Sequence, residues 1–244
     1  MQRPIHLLHD SRMLARMIGV EAPCCDMVAM PTSGKAEPFC ACTLANPLRE
    51  DFLLDLDAPS ERFLCYSGSL NDDLFADEPS NWMQLGQAQF EKFLDDTAPA
   101  LKANQRRLCL RPHRRHVLGD LPGCVKFLRE RVTANLTGPF ELCLSPIEML
   151  APSMLEPPQA LYEHLQRMFA HLGPACSCVL LADIKAPTAL DDVERCLELL
   201  PLGTGVLDRG IVLALLEEFV PVSTPILLIS AAVEQQLNWF RTQN

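Results

Sequence analysis

The chain has 244 residues, and its 48% hydrophobic and 21% charged residues are typical of a globular protein with a substantial core. The net charge of −10 argues against a dedicated nucleic-acid-binding protein. We find no signal-peptide pattern and no apolar run of the roughly 18 residues that span a bilayer. With 11 cysteines, these features predict a cytoplasmic protein with free thiols and no membrane partner.

The first 61 residues contain three short apolar runs that are candidate strands, at residues 5–9, 26–30 and 39–44. They are crowded, which predicts an irregular or shortened N-terminal quarter. From residue 62 onward, strands and helices alternate. The predicted strands are 62–67, 107–113, 140–144, 178–184 and 225–229. The predicted helices are 86–104, 121–132, 161–172, 211–220 and 231–240.

Alternation of apolar strands with helices indicates a parallel sheet covered by helices. Five such strands are more than half of an eight-stranded barrel, and the three N-terminal candidates would complete it. We therefore predict an α/β fold of the (β/α)8 TIM-barrel type, with residues 1–244 forming a single domain.

Three segments carry a family resemblance: residues 106–113 (RRLCLRPH), 139–146 (PFELCLSP) and 200–208 (LPLGTGVLD). They resemble the fifth strand, the sixth strand and the glycine-bearing loop of the xylose-isomerase-like TIM-barrel superfamily. This group includes sugar isomerases, sugar epimerases and an AP-endonuclease branch. The resemblance extends over roughly residues 62–230 and implies a barrel of this type.

Members of the superfamily hold a divalent metal with a Glu, an Asp, a His and a Glu at the ends of four strands. The resemblance places Arg111, Ser145 and Ser230 at the first, second and fourth of these positions, and the seventh strand offers Asp183 but no His. Hard cations need several converging oxygen ligands, and a guanidinium repels them. The resemblance therefore implies a degenerate site with no metal and no other cofactor.

Arg111 ends a predicted barrel strand, where enzymes of this fold build their active sites. Four basic residues follow it closely: His113, Arg114, Arg115 and His116. They predict an anion site for a phosphorylated sugar, with His113 or His116 shuttling protons. Alternatively, this is a solvated loop whose arginines pair with acids. Strand alternation leaves Arg111 pointing either into the barrel mouth or into the helix layer.

Asp183 is the second candidate catalytic residue, as a base or hydrogen-bond acceptor in the mouth. The alternative is a structural partner for Lys185 or Arg111. Gly203 and Gly205 could present backbone N–H groups to a phosphate. A simpler interpretation needs no chemistry in this loop, where Asp208 is expected to cap the following helix.

The cysteines support two interpretations. Six residues of the N-terminal quarter could assemble a zinc site, although their spacing matches no zinc motif: His6, His9, Cys24, Cys25, Cys40 and Cys42. Four others lie in apolar strands and are predicted to be small core residues: Cys65, Cys109, Cys143 and Cys178.

Three functions remain open. The chain could be a diverged barrel that has lost its metal and binds a sugar phosphate or another anion. It could be a sugar isomerase or epimerase with an unrecognised metal site. It could instead be a protein-interaction scaffold. The fold alone selects none of them.

Overall fold

A computed structural model describes residues 3–11, 25–32, 38–56, 58, 60–135, 138–185 and 197–240. Eight strands in it form a closed barrel. These are β1 (Ile5–Asp10), β2 (Met27–Pro31), β3 (Cys40–Thr43), β4 (Arg62–Tyr66), β5 (Arg107–Arg111), β6 (Phe140–Leu144), β7 (Cys178–Leu180) and β10 (Ile226–Ile229). The short strands β8 (Asp183–Ile184) and β9 (Leu199–Leu200) pair separately. Around the barrel the order is β1, β10, β7, β6, β5, β4, β3, β2.

The prediction of a parallel sheet is wrong for one strand. β2 runs antiparallel to both of its neighbours, whereas the other seven strands are parallel. Only eight residues separate Pro31 from Cys40, too few for the helical crossover that a parallel connection needs. All three N-terminal candidate strands are nevertheless present, and the reversed strand makes this quarter irregular, as predicted.

Within the described residues, five α-helices follow the later strands. They are α1 (Gln84–Ala103), α2 (Leu121–Phe127), α3 (Pro158–Leu172), α4 (Arg209–Phe219) and α5 (Val233–Phe240). A π-helical turn, Leu128–Val132, extends α2. As predicted, the Asp208 carboxylate caps α4 by accepting from the Ile211 N–H at 3.0 Å. No helix in the described part of the chain is both long and apolar enough to cross a bilayer.

The helices cover the outer face of the barrel because alternate strand residues point outward. Leu108 and Leu110 of β5 belong to the outer core, together with the apolar stripe of α3. That stripe is the predicted one: Leu161, Leu165, Met168, Phe169 and Leu172. Between β3 and β4, by contrast, the described residues of the connection form turns and extended chain and no helix.

The inside of the barrel is a separate core made of five cysteines, four leucines and one alanine. Cys109, Cys143 and Cys178 lie there fully buried, as do Cys40 and Cys42. The Sγ atoms of Cys109 and Cys178 are 3.8 Å apart. Cys65 is buried in the outer core instead. The prediction that the strand cysteines are core residues is confirmed.

An ion cluster lies below this thiol layer, at the N-terminal ends of the strands. Glu141 of β6 bonds two arginines, with Arg62 Nε at 2.5 Å and Arg107 Nη1 at 3.0 Å. Burial alone would raise the pKa of Glu141, but the two guanidinium groups outweigh burial and lower it. The barrel therefore has a charged floor, and its other end is the candidate functional site.

Candidate functional site at the barrel mouth

Three neighbouring strands bring polar side chains to the mouth of the barrel. Tyr66 ends β4, Arg111 ends β5, and Ser145 directly follows β6. Arg111 shares the strand face of Cys109, whose side chain lies in the inner core, so it points into the barrel. Of the two orientations expected for Arg111, the structure has the one directed at the mouth.

A carboxylate that the sequence analysis did not single out meets these side chains. Glu148 lies on the 3-10 turn Ile147–Met149 and forms a two-point ion pair with Arg111, with Nη2 2.7 Å from Oε1 and Nε bonded to Oε2. Tyr66 donates its hydroxyl to Oε1 at 2.8 Å, and Ser145 donates to Oε2 at 2.6 Å. Both oxygens of Glu148 therefore accept two hydrogen bonds each.

The charges of this network are buried and mutually compensated. The side chains of Arg111 and Glu148 are 9% and 5% exposed. Burial alone would lower the pKa of Arg111, but the nearby Glu148 charge outweighs it and the pKa is raised. Burial raises the pKa of Tyr66, which stays a neutral donor with its ring 4.5 Å from the Arg111 guanidinium carbon. Arg111 is thus a permanent cation with its countercharge already in place.

A cluster of aromatic rings packs beside the ion pair. The rings of His113 and His116 lie 4.7 Å apart and both contact Tyr66 and Phe75. Burial lowers the pKa of both imidazoles to about 3. The charges of neighbouring arginines lower the pKa of His113 further, and His113 lowers that of His116. Both rings are therefore neutral at pH 7, which weighs against a proton shuttle near neutral pH.

The two histidines are held in place by backbone groups. His116 Nε2 lies 3.0 Å from the Leu74 carbonyl, so Nε2 carries the proton and Nδ1 is a bare, buried acceptor. His113 Nδ1 accepts from the Arg115 N–H at 3.2 Å. Arg115 also bonds the carbonyl of Phe75 through its guanidinium. These contacts tie the loop after β5 to the loop after β4.

Asp183 lies on the short strand β8 and is completely buried. Its carboxylate accepts three backbone N–H groups, those of Ile184 at 2.9 Å, Gly203 at 3.0 Å and Leu207 at 3.0 Å. Its partners are amides rather than Lys185 or Arg111. The N–H of Gly203, suggested as a phosphate donor, is therefore bonded to the chain's own carboxylate.

The glycines of this loop are explained by close packing around Asp183. A Cβ on Gly205 would lie 2.1 Å from the Ile184 carbonyl oxygen and 2.4 Å from Asp183 Oδ1. Gly203 has a positive φ of +84°, and a Cβ there would meet the ring of Trp239. The binding role of Gly203 and Gly205 stays a prediction, as does the catalytic role of Asp183.

A small cavity is lined in part by residues of the mouth. A cavity of about 10 Å³, lined in part by Tyr66, Arg111 and Leu64, has room for about one water molecule. Ser230, which the resemblance places at the last metal-ligand position, follows β10 and is exposed. Within the described ranges, no group of three or more His, Cys, Asp or Glu side chains is placed to hold a metal ion. Cys24, part of the zinc alternative, lies outside them.

The sequence analysis missed Glu148, Tyr66 and Phe75. Glu148 lies three residues beyond Ser145, outside the segment in which the resemblance was recognised, although a lone acid so close to a strand end was a usable signal. Tyr66 ends a correctly predicted strand and shares the inward face of Leu64. The involvement of Phe75 has no signal in the sequence, because its ring reaches the mouth from a long loop.

No known family profile and no curated protein matches the sequence. Solved structures do match it: the probable 3-DHS dehydratase AsbF of Bacillus anthracis has a TM-score of 0.50 and 11% identity over 76% of this chain and 65% of its own. An L-ribulose 3-epimerase has a TM-score of 0.49 and 12% identity over 84% of this chain and 68% of its own. A xylose isomerase domain protein of Planctomyces limnophilus has a TM-score of 0.46 and 10% identity over 74% of this chain and 55% of its own. The chain thus spans between about half and two thirds of the first such structures. At this level of identity the likeness shows the fold alone, which is an α/β TIM barrel.

Proposed function

We propose that this xylose-isomerase-like barrel is an interaction scaffold that does not carry out metal-dependent sugar isomerisation or epimerisation. The observation that supports the proposal is the buried ion pair of Arg111 and Glu148, which lies at the mouth, where the resemblance places metal ligands. Functional sites of this fold are built at this end of the barrel. At this mouth the strand-end arginine is bonded to the chain's own carboxylate rather than being free to hold a substrate.

The donors at the mouth do not suit a divalent cation. Glu148 is the carboxylate bonded to Arg111, and both of its oxygens already accept two hydrogen bonds each. A metal ion would have to displace Arg111 or remain close to its positive charge, which repels it. Ser145, at the position of an aspartate in the superfamily, supplies a neutral hydroxyl that donates to Glu148 instead.

The test is an assay of the purified protein for interconversion of C-3 epimers and of aldose–ketose pairs. A panel of free and phosphorylated pentoses and hexoses is incubated with excess Mn²⁺, Mg²⁺ or Zn²⁺ and analysed by chromatography. A metal-dependent ketose 3-epimerase of the same fold serves as the positive control. We expect no turnover above that of the chain treated with EDTA.

Turnover that requires the metal and that Glu148→Gln abolishes would overturn this proposal. Glu148→Gln is informative because it keeps the shape of the side chain while removing its charge. Circular dichroism on the variant establishes that it is folded before its activity is compared. The exposed substitution Glu218→Gln is a matched control for loss of one negative charge.

A second candidate function is binding of a small phosphorylated anion at the rim of the mouth. Its support is the local positive potential: the charges of Arg111, Arg114 and Arg115 all depress the pKa of His113. Titration calorimetry with inorganic phosphate and with sugar phosphates tests it on wild type and on Arg114→Gln/Arg115→Gln. Equal, negligible heats for both proteins rule this candidate out.

A further inference from the structure

Strand β3 carries two thiols on the face that points into the barrel. Cys40 and Cys42 are two residues apart, so their side chains share one face, and both are buried in the inner core. Their Sγ atoms lie 3.8 Å apart. A metal–thiolate bond is about 2.3 Å long, so two sulfurs bonded to one ion at about 120° lie about 4 Å apart. The pair therefore has the spacing of two sulfur ligands of a single ion.

A thioether faces this pair from the neighbouring strand. Met27 of β2 lies directly opposite Cys42 in the antiparallel ladder. Its side chain packs against the inner core that contains both thiols. Directly opposite residues have Cβ atoms about 5 Å apart, and the methionine side chain is long and flexible. The Met27 sulfur is therefore within reach of an ion bound to Cys42.

The small cavity at the mouth extends to these sulfur-bearing side chains. Met27 and Cys42 both line it, together with Leu44, which is 48% exposed. Its volume of about 10 Å³ has room for one particle of the size of a water molecule. The space thus suits a single ion, and the exposure of Leu44 brings its boundary close to solvent.

The donor atoms favour a soft monovalent ion. Thiolates and thioethers are soft ligands that select Cu(I), whereas Mg²⁺ and Mn²⁺ prefer oxygen. Structural Zn²⁺ sites take four ligands. In the part of the chain that the structure describes, no three His, Cys, Asp or Glu side chains are grouped to hold a metal ion. Two thiolates and one thioether therefore fit Cu(I) better than they fit Zn²⁺.

We propose that Cys40, Cys42 and Met27 bind one Cu(I) ion through their three sulfur atoms. The two thiols release their protons to solvent as the two copper–thiolate bonds form, and the oxidation state of copper does not change. The resulting complex carries one negative charge. Arg111 lines the same cavity, so its positive charge attracts the occupied site. The site uses none of the carboxylate oxygens of Glu148 and is independent of the proposed scaffold function.

The affinity for Cu(I) should increase with pH. Cys40 holds its proton more tightly than an ordinary thiol, because the hydrogen bond with Cys42 and burial both raise its pKa. An ion that replaces this proton competes with it, so binding becomes tighter as the proton concentration falls.

The test is an anaerobic titration of the reduced, metal-free protein with Cu(I) in competition with the chromophoric chelator bathocuproine disulfonate. We expect one bound equivalent, an affinity that rises between about pH 6 and pH 8, and a copper X-ray absorption spectrum with sulfur ligands alone. Cys40→Ala/Cys42→Ala should lose this equivalent, and Met27→Leu should weaken binding by at least about tenfold. The matched control Cys109→Ala/Cys178→Ala removes another buried pair with a spacing of 3.8 Å and should bind like wild type.

Circular dichroism establishes that each variant is folded before it is titrated, and the absorption spectrum of wild type tests the ligands without any substitution. Retention of the bound equivalent in Cys40→Ala/Cys42→Ala would overturn the proposal, as would its loss in the folded control. Absence of binding, or nitrogen or oxygen ligands in the spectrum, would also overturn it. Displacement of the bound Cu(I) by Zn²⁺ would contradict the assignment of the ion.

Discussion

Replacing Glu148 with alanine should destabilise the protein strongly. Four hydrogen bonds end on this carboxylate, from Arg111 twice, Tyr66 and Ser145. In Glu148→Ala the guanidinium of Arg111 remains at the mouth with only 9% of its side chain exposed and without its countercharge. The two hydroxyl groups lose the same acceptor.

Removal of one partner of a buried ion pair costs about 3–5 kcal/mol of unfolding free energy. Domains are stable by only about 5–15 kcal/mol, so this one substitution would remove a large fraction of the total. For a chain of this size, the loss corresponds to a fall in Tm on the order of 10 °C. Replacing both partners by apolar residues of similar size, as in Arg111→Met/Glu148→Leu, should recover most of that loss.

Urea unfolding followed by circular dichroism measures these free energies. Exposed Glu218→Ala is the matched control and should change the unfolding free energy by no more than about 0.5 kcal/mol. If Glu148→Ala costs less than about 1 kcal/mol, the ion pair is solvated, as a surface pair would be. The description of the mouth as closed by buried charges would then be wrong.

Three further predictions follow from the same structure. His113 and His116 have pKa values of about 3 in the folded protein, against an ordinary value of 6.5, so both imidazoles take up protons on unfolding. Between pH 6 and pH 5, the unfolding free energy of wild type, measured with urea, should therefore fall by about 2 kcal/mol more than that of His113→Gln/His116→Gln. Equal losses would show that the rings titrate normally. The pKa of Glu141 is lower in the folded than in the unfolded protein, so its stabilising effect is present above the unfolded pKa and is lost as the pH falls. In Glu141→Gln, the unfolding free energy should therefore decline less steeply than in wild type below about pH 4.5. An unchanged decline would contradict this assignment. Gly205→Ala should lower the unfolding free energy by about 2 kcal/mol or more, because its Cβ would lie 2.1 Å from the Ile184 carbonyl oxygen. The control Gly210→Ala, whose Cβ would lie 3.3 Å from the nearest atom, should be neutral or stabilising. Similar effects of the two substitutions would contradict the packing argument.

The barrel strands could be predicted from the sequence because apolar alternation and spacing are local. All eight were anticipated within a few residues, including the three crowded ones near the N-terminus. The direction of β2 was not, because it depends on a connection of eight residues rather than on the strand itself. The periodic stripe of α3 was predicted correctly for the same local reason.

The site was harder to predict because its partners come from distant parts of the chain. Arg111 was correctly identified as a residue at a strand end, but its partner lies 37 residues away on a short turn. Asp183 was identified as a candidate site residue, yet two of its three amide partners lie beyond residue 200. The rings that pack against His113 include those of Tyr66 and Phe75, and no spacing rule connects these residues in the sequence.

The most direct test of the closed mouth is calorimetric titration of the purified protein, treated with EDTA and then dialysed, with Mn²⁺. We expect no saturable site at micromolar concentrations, because the carboxylate of Glu148 is committed to Arg111, Tyr66 and Ser145. Binding of one equivalent of Mn²⁺ that is lost in Glu148→Gln would contradict this expectation and would identify the mouth as a metal site.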